Sequence, residues 1–99
     1  MKNLTFTFID NASHGYLKIS NYDLKAFNID PKQFSNFSFY NCSNGCLYLE
    51  EDCDILKLIN IFKRKDININ FNEVYDPTLN PSIDYNFKRI DEVNFKEVV

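Results

Sequence analysis

The chain has 99 residues, of which 44% are hydrophobic and 25% are charged, and its formal net charge at pH 7 is −3. This length suits one domain with a single core, and the composition is that of a folded protein rather than a disordered one. The weak negative charge disfavours direct binding to nucleic acid, because contacts with phosphates need a basic surface. No stretch approaches the roughly 20 apolar residues of a membrane-spanning helix, and no signal peptide is apparent. We therefore expect a cytoplasmic protein that does not enter a membrane.

The first part of the chain predicts a hairpin followed by a short helix. Residues 4–8 and 16–19 each alternate apolar and polar side chains, the pattern of half-buried strands, and a turn-rich segment joins them. Ser20 followed three residues later by Asp23 resembles a capping box and indicates a helix start. This helix has about two turns and ends before Pro31, because a residue that precedes proline disfavours helical geometry.

A second hairpin and a longer helix come next. Residues 37–40 and 46–49 predict two strands joined by a turn at Asn44-Gly45, residue types that tolerate a positive φ. From Asp52 or Cys53 the spacing becomes helical. The predicted apolar face of this helix, which we expect to pack on the sheet, comprises Ile55, Leu56, Leu58, Ile59 and Phe62.

The remaining sequence predicts one more strand and then becomes irregular. Residues 67–71 alternate isoleucine or phenylalanine with asparagine as a strand that breaks near Glu73, and residues 76–81 read as a proline-punctuated loop. The resulting order, ββαββαβ, predicts an α+β domain over residues 1–85, with an antiparallel sheet and both helices on one face. Residues 86–99, which include Phe87, Val98 and Val99, form an extension that is helix, strand or a tail ordered by a partner.

Three cysteines and one histidine are the residue types of a structural zinc site. Their spacing does not support one, because Cys42 and Cys46 flank a predicted hairpin turn while Cys53 opens a helix. We expect three reduced thiols, as in most cytosolic proteins, with no metal and no cofactor. A bridge between Cys42 and Cys46 remains an alternative.

The acidic cluster after the fourth strand is the densest charge in the chain, and it comprises Glu50, Glu51, Asp52 and Asp54. Paired carboxylates can serve catalysis or bind Mg²⁺, but the change from strand to helix scatters these side chains in direction. Helix capping with solvation, or a contact surface for a basic partner, are the stronger interpretations. His14 has no nucleophile or orienting group that spacing assigns to it, so we predict no catalytic residue and no enzyme.

Three segments carry a resemblance to known proteins: His-Gly-Tyr-Leu-Lys-Ile at residues 14–19, Phe-Ser-Phe-Tyr at 37–40, and Tyr-Leu-Glu-Glu-Asp-Cys-Asp at 48–54. In order and spacing they resemble a family of small uncharacterised proteins from phages, plasmids and other mobile elements. The match extends from Thr5 to Tyr75 and is most specific in the acidic segment. The chain departs from the family at residues 83–85, where Ile-Asp-Tyr replaces a basic Ile-Arg-Gly-Tyr-like end.

Genes of this family often neighbour antirestriction genes, so the resemblance implies an inhibitor of a host defence nuclease. Such an anti-CRISPR or antirestriction protein would bind a basic surface of a Cas effector or restriction nuclease in the bacterial host. We expect Tyr40 and Tyr48 to face away from the core residues Phe39, Leu47 and Leu49, next to the carboxylates. The predicted partner-binding set is Tyr40, Tyr48, Glu50, Glu51, Asp52 and Asp54. The alternative is a regulatory or structural interaction module of a phage or plasmid, of undetermined oligomeric state, without an inhibitory role.

Overall fold

A computed structural model describes residues 2–96, which form a six-stranded sheet with two α-helices against one face. The strands are β1 (Lys2–Asp10), β2 (Gly15–Ser20), β3 (Phe39–Asn41), β4 (Cys46–Glu50), β5 (Ile67–Tyr75) and β6 (Phe87–Arg89). The α-helices are α1 (Asn21–Ala26) and α2 (Ile55–Arg64), and short 3₁₀ helices span Pro31–Gln33 and Ile90–Glu92. The predicted α+β class is confirmed, and a sixth strand is added to the expected five.

The sheet is mixed, with the strand order β5-β1-β2-β4-β3-β6. The prediction of a purely antiparallel sheet is wrong at one pair, because β5 runs parallel to β1 over nine residues. The physical reason is the connection through α2. A helix of ten residues carries the chain back by about 15 Å, so β5 starts at the same end of the sheet as β4. Each such crossover produces a strand that is parallel to the one before the helix.

The elements from β2 to β5 follow the order of a β-α-β-β-α-β split unit, with β1 inserted between β2 and β5. The predicted capping of α1 is confirmed, since the Ser20 hydroxyl accepts a hydrogen bond from the Asp23 N–H at 3.0 Å. This cap satisfies one backbone donor of a helix that is too short to be stable alone.

Both helices pack on the same face of the sheet, as predicted. The helix-side core, our name for this cluster, includes Phe6, Leu17, Ile19, Leu24, Leu47, Leu49, Leu58, Phe62 and Ile67. Leu58 and Phe62 of α2 are fully buried, and Ile59 is half-buried at the margin of the core. Leu56 is 65% exposed, so its assignment to the buried face is wrong.

A second cluster lies on the opposite face of the sheet. It consists of Ile9, Tyr16, Cys46, Tyr48 and Phe87, with Phe39 and Leu79 packed against it. Leu79 belongs to the crossing segment, residues 76–86, which leads from β5 at one edge of the sheet to β6 at the other. The Asn11 side chain donates to the Leu79 carbonyl at 2.8 Å and fixes this segment over the end of the sheet.

The C-terminal residues continue the same sheet and core. β6 pairs antiparallel with β3, and Ile90 and Val93 are buried in the helix-side core. Phe95 packs edge-on against Tyr40, with 5.4 Å between ring centroids. The part of the expected extension at residues 97–99, which includes Val98 and Val99, lies outside the described residues. Within residues 2–96, no helix has the length and apolar content needed to cross a membrane.

Candidate functional site

Neither of the two tyrosines predicted to contact a partner is exposed. Tyr40 pairs with Leu47 and lies in the helix-side core, so the prediction that it faces away from the core is wrong. Tyr48 does face away from Leu47 and Leu49, but its ring lies 4.9 Å from that of Phe87 and only 4% of the residue is exposed. Both tyrosines therefore stabilise the fold and offer little contact area.

The four acidic residues do not form one continuous surface. Asp54 is fully buried and Glu50 is buried, while Glu51 and Asp52 are exposed. Asp52 and Glu50 line a cleft on the side of the second cluster. Glu51 lies elsewhere, with its Oε1 near the position that a Cβ on Gly15 would take. The expectation that the carboxylates scatter in direction is confirmed.

Asp54 is an internal anchor at the start of α2. Its carboxylate accepts hydrogen bonds from the Ser35 N–H at 3.0 Å, from the Ser35 hydroxyl at 2.7 Å and from the Ser38 hydroxyl. The Lys57 ammonium lies 3.2 Å away. Burial alone raises the pKa of Asp54, but the bonds from Ser38 and Ser35 and the contact with Lys57 outweigh it and hold the pKa below its ordinary value.

Asp54 fixes the loop that leads into β3, residues 34–38, which we call the pinned loop. The Ser38 hydroxyl also accepts the Glu50 N–H at 2.8 Å, so a single buried serine links the loop, the end of β4 and Asp54. Because Ser35 and Ser38 are both held, Phe37 between them projects outward and is 67% exposed. Phe37 therefore presents an exposed aromatic ring on a loop whose backbone is held in place.

The pinned loop forms one wall of a half-open cleft of about 340 Å³. The start of β2, the end of β4 and the crossing segment form the other walls. The lining residues are His14, Tyr16, Asn36, Phe37, Phe39, Glu50, Asp52, Cys53 and Ser82. Carboxylates and aromatic rings therefore face the same space.

Inside the cleft, the Glu50 carboxylate contacts polar groups of two other residues, Cys53 and His14. Its Oε2 accepts the Cys53 N–H at 2.9 Å, and its Oε1 lies 4.0 Å from His14 Nδ1. The hydrogen bond with Glu50 is the largest cause that raises the pKa of the Cys53 thiol, followed by burial and by the surrounding carboxylates. A thiol kept protonated in this way is a poor nucleophile, which argues against covalent catalysis through Cys53.

The Glu50 carboxylate also affects the pKa of Tyr16, one of the aromatic residues that line the cleft. Burial, and then the charge of Glu50, raise the pKa of Tyr16, so its phenol stays neutral. The ring of Tyr16 packs edge-on against Phe39, with 6.4 Å between centroids. The cleft therefore offers negative charge beside neutral rings, an environment that favours a cationic guest.

The thiols are distributed over different environments. Cys42 is exposed, Cys46 is buried in the second cluster, Cys53 is half-buried, and all three are free. Burial raises the pKa of Cys46, and the nearby Lys18 only partly offsets this. Among residues 2–96, no group of three or more histidine, cysteine, aspartate or glutamate side chains is placed to hold a metal ion.

Sequence reasoning identified Glu50 and Asp52 but missed the aromatic residues that share the cleft with them. Tyr16 reads as the outward residue of an alternating strand, and Phe37 reads as part of β3, although it precedes that strand. A signal for Phe37 is present in Ser35 and Ser38, which flank it and can bond to a carboxylate. The family models, the curated proteins and the solved structures with which the chain was compared gave no match.

Proposed function

We propose that the protein acts by binding a basic protein partner, and that the cleft receives an arginine side chain of that partner. The observation that carries this proposal is the placement of Glu50 and Asp52 in one cleft with the rings of Tyr16, Phe37 and Phe39. This replaces the predicted surface of Tyr40, Tyr48 and four carboxylates with a smaller set.

Arginine suits this cleft better than lysine does. Its planar guanidinium stacks on aromatic faces and bonds to carboxylates with two N–H groups at once, whereas the lysine ammonium is a strongly hydrated point charge. Glu50 is held by the Cys53 N–H, so it would not need to be ordered on binding. Asp52 and Phe37 are exposed and can close on the guest from the rim.

For the identity of the partner we propose a nuclease of a host defence system, either a Cas effector or a restriction nuclease. Two arguments support this. The resemblance to mobile-element proteins implies a role against host defence, and nucleases hold nucleic acid in grooves rich in arginine and lysine. A protein that offers carboxylates to such a groove would compete with the phosphates. A regulatory or structural module of a mobile element, binding a basic partner without inhibition, is the second candidate.

A phage-challenge assay tests the proposal. The protein is expressed in bacteria that carry one defined CRISPR or restriction system at a time, and the plating efficiency of a targeted phage is measured. Protection of the phage in one system identifies the target, after which binding is measured with the purified nuclease. The absence of protection in every system tested would contradict the inhibitor role and favour the second candidate.

Neighbouring residues provide a matched pair of variants. Asp52→Lys and Glu51→Lys make the same change of charge at adjacent exposed positions, but only Asp52 lines the cleft. We expect Asp52→Lys to weaken binding at least tenfold, mainly through faster dissociation, and Glu51→Lys to change only the association rate by a few-fold. Phe37→Ser should resemble Asp52→Lys. Equal effects of the two lysine variants would show that general charge, and not the cleft, determines binding.

A further inference from the structure

The two edges of the sheet differ in how well they are protected. The β6 edge has three residues, two of which, Lys88 and Arg89, are basic. Short length and positive charge are the usual means by which an edge strand avoids pairing with another chain. The β5 edge has nine residues, contains neither lysine nor proline, and carries a single charge at Glu73.

In the sheet of residues 2–96, β5 is an edge strand with β1 as its one neighbouring strand. Its pairing with β1 is continuous from Lys2–Ile67 to Asp10–Tyr75, with no bulge to twist the edge away. In a parallel pair, every second residue directs its backbone N–H and C=O away from the neighbouring strand. Within residues 2–96 those outward groups of β5 have no backbone partner.

The side chains near this edge are also unusually exposed for their type. Phe71 and Val74 are each 43% exposed, and Tyr75 is more exposed still. Phe71 and Tyr75 lie on one face of the strand, and the other face presents the exposed amides of Asn70 and Asn72 beside Val74. The edge therefore combines unpaired backbone groups, partly open apolar side chains and uncharged polar ones.

We propose that β5 pairs antiparallel with β5 of a second copy of the chain, so that two six-stranded sheets join into one. About its middle residue, Phe71, the strand is symmetric in sequence over Asn70-Phe71-Asn72, so aromatic meets aromatic and amide meets amide in such a pair. A two-fold axis there places Phe71 opposite Phe71 of the second copy and Asn70 opposite Asn72. Glu73 then lies opposite Ile69, so the only charge of the strand does not meet its own copy.

An extended segment of a different protein is the competing occupant of this edge. Binding by strand addition normally gains its specificity from pockets that receive alternate side chains. The lining of the cleft described above includes no β5 residue. The match of β5 to itself favours the second copy, in the closed two-fold arrangement that is commonest among homo-oligomers.

Analytical ultracentrifugation of the full chain tests the proposal. The contact involves one strand from each copy, so we expect a weak dimer that appears between about 10 and 500 μM protein. The mass should rise from that of one 11.7 kDa chain toward twice that value. A mass that stays monomeric throughout this range would overturn the proposal.

Two double variants at exposed positions test the geometry. Asn70→Lys with Asn72→Lys places lysines opposite each other across the two-fold axis, and we expect the dissociation constant to rise at least tenfold. Asn70→Lys with Asn72→Glu changes the same two positions but places each new lysine opposite a new glutamate, and dimerisation should be retained. Circular dichroism and thermal midpoints verify that both variants fold. Equal dimerisation of the two variants would overturn the proposed register.

Discussion

The ring of Phe8 lies directly over the α-carbon of Gly15. A Cβ on Gly15 would stand 2.3 Å from Cζ and 2.9 Å from Cε2 of Phe8, closer than carbon atoms that are not bonded to each other approach. Phe8 belongs to β1 and Gly15 begins β2, so this contact lies at the closed end of the first hairpin. The glycine is needed here for the space that it leaves rather than for its backbone freedom.

The first prediction concerns this contact. Gly15→Ala should destabilise the protein by about 1 to 3 kcal/mol, because the ring of Phe8 must leave its packed position. Chemical denaturation measures the loss. Adding Phe8→Leu to Gly15→Ala should make the loss smaller than the two single losses combined, because the shorter side chain removes the clash. Strictly additive losses would contradict a direct contact.

The second prediction compares two leucines of α2. Leu58→Ala should cost about 2 to 5 kcal/mol, because it removes a fully buried side chain and leaves a cavity in the helix-side core. Leu56→Ala is the control, since it makes the same chemical change at an exposed position and should alter stability by less than about 0.5 kcal/mol. Similar denaturation midpoints for both variants would show that the assigned buried face is wrong.

The third prediction concerns the dependence of stability on pH through Asp54. Its pKa is lower in the folded protein, so its stabilising contribution is complete above the ordinary value of 3.8 and is lost as the pH falls through the folded-state pKa. Ser38→Ala should cost about 1 to 3 kcal/mol at pH 7, because it removes a hydrogen bond to a buried carboxylate.

The difference between wild type and Ser38→Ala should narrow as the pH falls below 3.8 and toward the lower, folded-state pKa of Asp54. It should not vanish, because the Glu50 N–H also loses its acceptor. Denaturation curves at several pH values between 2 and 7 test this. A difference that does not vary with pH would mean that Ser38 does not act through the charge of Asp54.

The fourth prediction concerns thiol reactivity. In the native protein at pH 7.5, iodoacetamide should modify the exposed Cys42 first, and Cys46 and Cys53 more slowly, as mass spectrometry of peptides can measure. Glu50→Gln removes the charge of the group whose hydrogen bond raises the pKa of Cys53, so it should accelerate labelling of Cys53 and leave Cys42 unchanged. After denaturation without reductant, all three thiols should react.

The sequence was most informative where a repeating pattern extends over several residues. The alternation in β1 and the helical spacing in α2 predicted both elements and most of the helix-side core. Residues 37–40 predicted β3 but not its orientation, because Phe37, Phe39 and Tyr40 supply apolar side chains in both phases of the alternation. Pairing with β4 decides the phase, and pairing is not a local property.

The same limit explains the errors at the site. Asp54 looked like a surface carboxylate because its partners, Ser35 and Ser38, lie 19 and 16 residues earlier in the chain. The three residues of β6 are too few for a periodic signal, and only pairing with β3 defines the strand. The direction of β5 depends on the end of the sheet to which the chain returns through α2. Each of these features depends on contacts that no local pattern encodes.

The inserted position of β1 has a consequence for the order in which the chain folds. β1 and β2 can form a hairpin as soon as both exist, but the other neighbour of β1 is distant, as the bond between Asn3 and Asn68 across 65 residues indicates. Parallel pairings between distant segments form late, because the loop must be closed before any contact rewards it. Packing of α2 on the earlier strands brings Ile67 close to Lys2, so a smaller loop must close before β5 pairs with β1. Substitutions in the buried face of α2 should therefore slow folding, whereas substitutions in β5 should mainly accelerate unfolding.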